Sequence, residues 1–120
     1  MQYALLIYTP VGDTDALTPE ELEALSREYW ALRDDPAIIG GAGLQAPETA
    51  TTVRLSDGNP LVTDGPFADT KEYFAGFYLA EADDLDAVAE IAARIPALRF
   101  GGTVEIRPVL SAIPDRGRPD

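Results

Sequence analysis

The sequence predicts an α+β domain in which one antiparallel sheet carries two helices on the same face. Short apolar runs typical of strands and two amphipathic stretches typical of helices follow each other in the order β-α-β-hairpin-β-α-β. Each helix has one apolar stripe, so each buries a single side. This pattern is that of the split βαβ, or ferredoxin-like, architecture. Residues 1–110 are predicted to form the domain, and residues 111–120 a polar C-terminal tail.

The first part of the domain is predicted to contain a strand and a well-marked helix. The run YALLIY (3–8) is short, apolar and ended by the breakers in TPVGDTD, which favours a strand. Thr18 and Glu21 have the spacing of a capping box, and Pro19 suits the first helical position, so a helix is predicted over TPEELEALSREYWALRDD. Trp30 lies away from the apolar stripe of this helix, which consists of Leu22, Leu25, Tyr29 and Leu32.

The middle of the chain predicts irregular structure followed by a hairpin. GGAGLQAPETA is rich in Gly, with at most a short strand near Leu44. TTVRL (51–55) and LVTD (61–64) flank the turn signal SDGNP, so these two runs are predicted to pair. Val53 and Leu55 would then face inward, with Arg54 on the other side.

The last part supplies the strongest strand, a second helix and a final strand. EYFAGFYLA (72–80) alternates, with Tyr73, Ala75, Phe77 and Leu79 on one face and Phe74, Gly76 and Tyr78 on the other. DDLDAVAEIAARIP (83–96) has a helical stripe formed by Leu85, Val88, Ala89, Ala92 and Ile95. TVEIRPVL (103–110) is a strand that Pro108 places at an edge or an end. Because two helices cover only one face of this sheet, the other face is expected to meet a second copy of the chain in a homodimer.

Composition excludes several classes of function. The chain has 9 basic and 21 acidic residues and a net charge of −12, which disfavours partners such as nucleic acid or an anionic membrane. No apolar run approaches the ~20 residues that span a bilayer, and a signal peptide is not evident, so a cytoplasmic protein is expected. The sequence has no Cys and no His, and helix capping explains the acidic run at 83–86, so neither a metal nor a cofactor is predicted.

The motif DGPFADTKE (64–72), with TATTVR upstream and GTVEIRPV near the end, resembles the YCII-related family and specifically its DGPF subgroup. The resemblance covers nearly all of residues 1–110. It implies a ferredoxin-like subunit in a dimeric α+β barrel, in small bacterial cytoplasmic proteins often encoded near sigma factors. Enzyme-like members carry a His-Asp pair, with the Asp before a proline that ends the second helix. Here the first helix has no His and Ile95 precedes Pro96, so that chemistry is not implied.

The 64–72 segment holds one group of candidate site residues. Asp64 either anchors the Gly65-Pro66 turn through backbone hydrogen bonds or acts as a ligand or proton-transfer group. The catalytic candidates are Asp64 and Glu72, two carboxylates that burial could adapt to proton transfer. Phe67 is expected to plug the turn, at the core or a pocket rim. Lys71 and Glu72 either lie in solvent or face a cavity at the mouth of the strongest strand.

Strand-borne side chains form the second group of candidates. Arg54 and Arg107 project from strands opposite their apolar neighbours, so each is either solvated or a fixed guanidinium suited to an anion. Tyr78 either packs or donates a hydrogen bond from an apolar wall. The predicted ligand site therefore comprises Arg54, Asp64, Phe67, Lys71, Tyr78 and Arg107.

Three functions are compatible with these residues. The first is a dimeric protein that binds a small polar or anionic molecule in a pocket at the helix-sheet seam, rimmed by the 64–72 loop. The second is an enzyme that uses carboxylate, lysine or tyrosine proton transfer. The third, implied only by the resemblance, is a regulatory partner in sigma-factor-linked transcription control.

Overall fold

The structure is a computed structural model that describes residues 1–110, so the predicted tail at 111–120 lies outside the described residues. Its strands are β1 (Gln2–Pro10), β2 (Ile38–Gly43), β3 (Thr51–Ser56), β4 (Asn59–Asp64), β5 (Glu72–Glu81) and β6 (Thr103–Pro108). Its α-helices are α1 (Pro19–Ala31) and α2 (Leu85–Ala92), and short 3-10 helices lie at Leu32–Asp34, Pro47–Thr49 and Pro96–Phe100. Within residues 1–110, neither α-helix combines the length and apolar content needed to cross a bilayer.

The strands form two sheets. Four of them make an antiparallel sheet in the order β2-β5-β1-β6, which confirms the α+β class with an antiparallel sheet and two helices. The predicted hairpin at 51–64 is also present, but β3 and β4 pair only with each other. Asp57 and Gly58 turn the hairpin with φ values of 51° and 81°, the left-handed pair of a two-residue turn. The hairpin stays outside the main sheet because β5 already has β2 on one side and β1 on the other.

The core lies between one face of the main sheet and both helices. Strand β1 alternates strictly, so its odd-numbered residues are buried and its even-numbered residues are not. The buried cluster joins Tyr3, Leu5, Ile7, Leu32, Tyr78, Ala80, Val88, Ile91, Ala92, Ile95 and Ala97. Helix α2 is shorter than predicted, and Ile91 takes the buried position expected for Ala89.

A β-bulge corrects the predicted faces of β5. Leu6 pairs with Phe77 and Ile7 with Gly76, but Tyr8 pairs with Phe74, so Ala75 is the extra residue. Side chains alternate between the two faces of a strand, so one extra residue moves every side chain before it to the face opposite the predicted one. Phe74 therefore shares the face of Phe77, and Tyr73 lies on the core side.

The other face of the main sheet is apolar along β1 and β5, whereas β6 adds Glu105 and Arg107 at its edge. The apolar part consists of Ala4, Leu6, Tyr8, Phe74, Phe77 and Leu79, according to strand register. The ring centroids of Tyr8 and Phe74 are 5.6 Å apart, and those of Phe74 and Phe77 are 6.5 Å apart. Both helices contribute to the core on the opposite side. We call this surface the open face.

Candidate functional site

A cavity of about 690 Å³ lies between α1 and the β2-β5 pair. That volume falls in the range of small-molecule sites. Its lining comprises Ile7, Ser26, Tyr29, Trp30, Arg33, Ile38, Ile39, Gly40, Gly41, Ala42, Gly43, Ala75, Gly76, Phe77 and Tyr78. The described lining contains one cation and no carboxylate, although the chain has 21 acidic residues. We call this cavity the seam cavity.

Helix α1 supplies one wall of the seam cavity. The predicted capping box is present, since the Thr18 hydroxyl accepts from the Glu21 N–H at 3.1 Å and the Glu21 carboxylate accepts from the Thr18 N–H at 2.8 Å. This cap fixes where the helix begins and therefore which residues face the sheet. Ser26, Tyr29 and Trp30 lie on one side of α1, and Arg33 continues the wall from the 3-10 helix that follows. Trp30, which lies away from the predicted stripe, belongs to this side of the helix.

Two glycines allow β2 and β5 to approach closely and form the floor. Gly41 has φ of 153°, and a Cβ there would lie 2.4 Å from the Phe77 carbonyl oxygen. Gly76 has φ of 155°, and a Cβ there would lie 2.6 Å from the Ala42 oxygen. Both positions therefore exclude a side chain. Gly43 differs, because a Cβ added there would meet nothing within 4 Å. The close approach of the strands therefore does not require a glycine at this position, and the lack of a side chain leaves space in the cavity.

Arg33 and Trp30 form the charged part of the wall. The Arg33 guanidinium carbon lies 4.2 Å from the Trp30 ring centroid, a cation-π contact. The ion pairs found within residues 1–110 use Arg27, Arg94, Arg99 and the N-terminus, and none of them involves Arg33. Its guanidinium donors therefore have no carboxylate partner in the described part of the chain.

Tyr78 contributes a fixed phenol to the cavity. Its hydroxyl donates a 2.7 Å hydrogen bond to the Tyr29 carbonyl, which ties β5 to α1. Burial, with a smaller contribution from Tyr29, raises the pKa of Tyr78 to about 12. The phenol is therefore protonated at neutral pH, and its oxygen keeps the capacity to accept a hydrogen bond. Among the predicted ligand residues, Tyr78 is the one that lines the seam cavity.

The 64–72 segment does not line this cavity. Asp64, Lys71 and Glu72 are exposed, and the Phe67 side chain is 77% exposed rather than plugged into the turn. Physically, the segment follows a hairpin that leaves the main sheet, so it lies beside the end of β1, where the Val11 N–H donates to the Lys71 carbonyl at 2.9 Å. The rim predicted for these residues is therefore absent from the seam cavity of the single chain.

The turn in this segment is held by backbone groups. The Gly65 N–H donates to the Ala50 carbonyl at 2.7 Å, and the Thr52 hydroxyl donates to the Gly65 carbonyl at 2.7 Å. Gly65 itself has φ of 98°. Among the side-chain hydrogen bonds of residues 1–110, none is accepted by the Asp64 carboxylate. Asp64 therefore does not anchor the turn as predicted.

The two predicted arginines lie on different sheets. Arg54 is exposed on β3, opposite Leu61 in the hairpin. Arg107 is exposed on β6, opposite Ala4, which places it at one side of the open face. Neither residue lines the seam cavity. The sequence analysis did not identify Ser26 and Arg33 as cavity residues. The one signal for this side of the helix was Trp30, a large aromatic residue that lies away from the predicted apolar stripe.

A smaller acidic cavity, of about 250 Å³, lies between residues 11–15, residues 46–48 and Tyr73. Burial raises the pKa of Asp13 there, with backbone hydrogen bonds acting in the opposite direction. Among residues 1–110, no three Asp, Glu, His or Cys side chains are grouped so that they could hold a metal ion. The acidic residues of this cavity therefore carry no metal proposal.

The fold and cavity define a small α+β protein with a half-open cavity at a helix-sheet seam, where the Trp30 side chain is 60% exposed and Arg33 is exposed, and comparison with known proteins gives the family. The YCII-related domain matches residues 1–113. An uncharacterized protein of Rhizobium meliloti (strain 1021) is 38% identical over 114 residues, which cover 91% of this chain and 92% of that protein. The chain belongs to the YCII-related family.

Proposed function

We propose that this chain binds a small anionic molecule with a flat apolar part in the seam cavity. One observation carries the proposal: in a chain of net charge −12, the described lining has Arg33 as its only charged side chain. A carboxylate or similar anion gains charge-assisted hydrogen bonds from a guanidinium that has no protein partner. The cavity therefore favours an anionic ligand, although the chain as a whole is strongly negative.

The remaining lining supports the flat apolar part. Gly40, Gly43 and the neighbouring backbone leave a floor without bulky side chains, while Tyr29, Trp30 and Tyr78 supply aromatic surface. The Ser26 hydroxyl and the Tyr78 oxygen offer a few polar contacts within this mainly apolar space. A cavity lined by apolar groups with a few placed polar ones is typical of a small-molecule site.

The proposal includes a homodimer with the ferredoxin-like subunits of a dimeric α+β barrel. The open face supports it, because an apolar sheet face with aromatic side chains is costly to leave in water. The DGPF motif at 64–72 supports assignment to the DGPF subgroup, and with it a bacterial cytoplasmic protein. Of the groups that the enzymatic alternative would use, Asp64, Lys71 and Glu72 lie outside the described cavity lining, and the Tyr78 hydroxyl donates its hydrogen bond to the Tyr29 carbonyl.

The test is a binding measurement with matched probes and matched variants. Benzoate, succinate and inorganic phosphate are compared with neutral benzamide by thermal shift and calorimetry, because a ligand that binds only the folded chain raises its melting temperature. Benzoate is expected to stabilise the protein more than benzamide does. Arg33→Gln is expected to weaken benzoate binding by about tenfold, the equivalent of one charge-assisted hydrogen bond.

Arg54→Gln and Arg107→Gln are the controls, since both remove an exposed arginine from outside the cavity. Each should leave benzoate affinity unchanged. Equal binding of benzoate and benzamide would contradict the anionic ligand. Loss of binding in either control, with Arg33→Gln unaffected, would move the site to the strands that the sequence first indicated.

A further inference from the structure

We propose that the β3-β4 hairpin, residues 51–64, is an arm that packs on a second copy of this chain. Its two faces differ in composition. Val53, Leu55 and Val62 share one face with Pro60, whereas Arg54 and Leu61 lie on the other, as the register Val53 to Val62 and Leu55 to Pro60 requires. The arm therefore has an apolar face made of aliphatic side chains.

This apolar face is uncovered within its own chain. The side chains of Val53, Leu55 and Val62 are 63%, 73% and 61% exposed, respectively. An isolated two-stranded hairpin is marginally stable at best in water and needs packing against another element. The described hydrogen bonds that tie the arm to its own chain lie at its base, around Ala50, Thr52 and Gly65. The rest of the arm requires a partner.

Charge favours a second copy as that partner. Over residues 51–64 the arm has one Arg and two Asp, but Val53, Leu55, Pro60 and Val62, which make its apolar face, are all uncharged. Two copies of a chain of net charge −12 repel over most of their surfaces, and contact through an uncharged face avoids that cost. Arg54 on the other face adds a cation that an acidic copy attracts.

The position of the arm is also continuous with the open face. Residues 65–71 connect β4 to β5, and β5 supplies Phe74, Phe77 and Leu79 to that face. A second copy seated on the open face therefore lies beside the arm. In a two-fold dimer, each copy would hold the other with the same surface. This inference uses the dimer of the proposed function and adds a second contact to it.

Photo-crosslinking can test the arm directly, because the chain has no Cys of its own. Leu55→Cys and Ser56→Cys, adjacent residues on opposite faces, are each labelled with a maleimide-benzophenone. Copies with ¹⁴N and ¹⁵N are mixed, irradiated and digested. Crosslinks between differently labelled copies are expected from position 55, in higher yield than from position 56. Crosslinks within one copy only, or equal yields at both positions, would overturn the proposal.

Self-association provides the second measurement. Val53→Ser with Leu55→Ser is expected to weaken dimerisation by at least about tenfold, whereas Leu61→Ser on the other face should have little effect. Equal effects of the two variants, with the fold checked by circular dichroism, would overturn the arm. A parent protein that stays monomeric would overturn the dimer of the proposed function as well. A dimer without intercopy crosslinks at position 55 would overturn the arm alone.

Discussion

The seam cavity and the 64–72 segment differ in what determines their structure. The segment is conspicuous in sequence, yet its candidate side chains are exposed and its turn depends on backbone and Thr52 hydrogen bonds. The seam is built around the inconspicuous run IIGGAG, where Gly41, together with Gly76 on β5, sets the spacing between the two strands. Conspicuous residues in a sequence can therefore lie outside the main cavity of the fold, whose position depends on the backbone spacing of two strands.

The largest expected effect tests whether the seam depends on close strand approach. Gly41→Ala should destabilise the protein by about 3 kcal/mol, because it combines a disfavoured positive φ with a backbone clash. A Cβ at Gly41 would lie 2.4 Å from the Phe77 oxygen, a contact that only strand movement relieves. Chemical unfolding of parent and variant measures the difference.

Gly43→Ala is the matched control on the same strand. No positive φ is found at this residue, and a Cβ there meets nothing within 4 Å. Its effect should stay within about 0.5 kcal/mol. Similar losses in the two variants would show that the floor responds to any side chain and not to strand spacing.

Sequence patterns predicted the elements whose signals are local. The capping box of α1 and the Asp-Gly turn of the hairpin each depend on a few adjacent residues, and both form as expected. The bulge at Ala75 was missed because it depends on pairing between distant strands. One extra residue was enough to put Phe74 on the face predicted for Phe77.

The next prediction concerns the anchor of the 64–72 segment. Thr52→Val should lower the free energy of unfolding by about 1 kcal/mol, because it removes the hydroxyl that donates to the Gly65 carbonyl. Asp64→Ala should cost less than about 0.5 kcal/mol, because this exposed carboxylate makes no hydrogen bond among the described residues. Urea unfolding of both variants ranks them. A larger loss for Asp64→Ala would restore the anchoring role that the sequence indicated.

The candidate site was less predictable than the fold. Tyr78 was identified because an aromatic hydroxyl in a buried strand needs a partner. Arg33 was not, because its role depends on how the chain after α1 places it beside Trp30 and opposite β2. Arg54 and Arg107 were expected to bind an anion because strands hold them in fixed positions. Whether a strand residue lines a cavity depends, however, on which other elements cover that strand, and this is not evident from the strand itself.

The smallest expected effect is a pH dependence at the entry to β2, on the seam side of the molecule. Asp35 accepts hydrogen bonds from the Ala37 N–H at 2.9 Å and from Arg94 at 2.6 Å, and these contacts, that of Ala37 first, lower the pKa of Asp35. A carboxyl whose folded pKa lies below its unfolded value, about 3.9, gives stability that is complete above that value and is lost as the pH falls through the folded pKa.

Asp35→Asn removes this titration while it keeps an oxygen that can accept from Ala37. The parent should therefore be more stable than the variant at about pH 6, and the difference should narrow as the pH falls below about 4. Urea unfolding at matched pH values measures both curves. A difference that stays constant through the acid range would mean that the Asp35 contacts stabilise the entry to β2 without any contribution from the charge of this carboxylate.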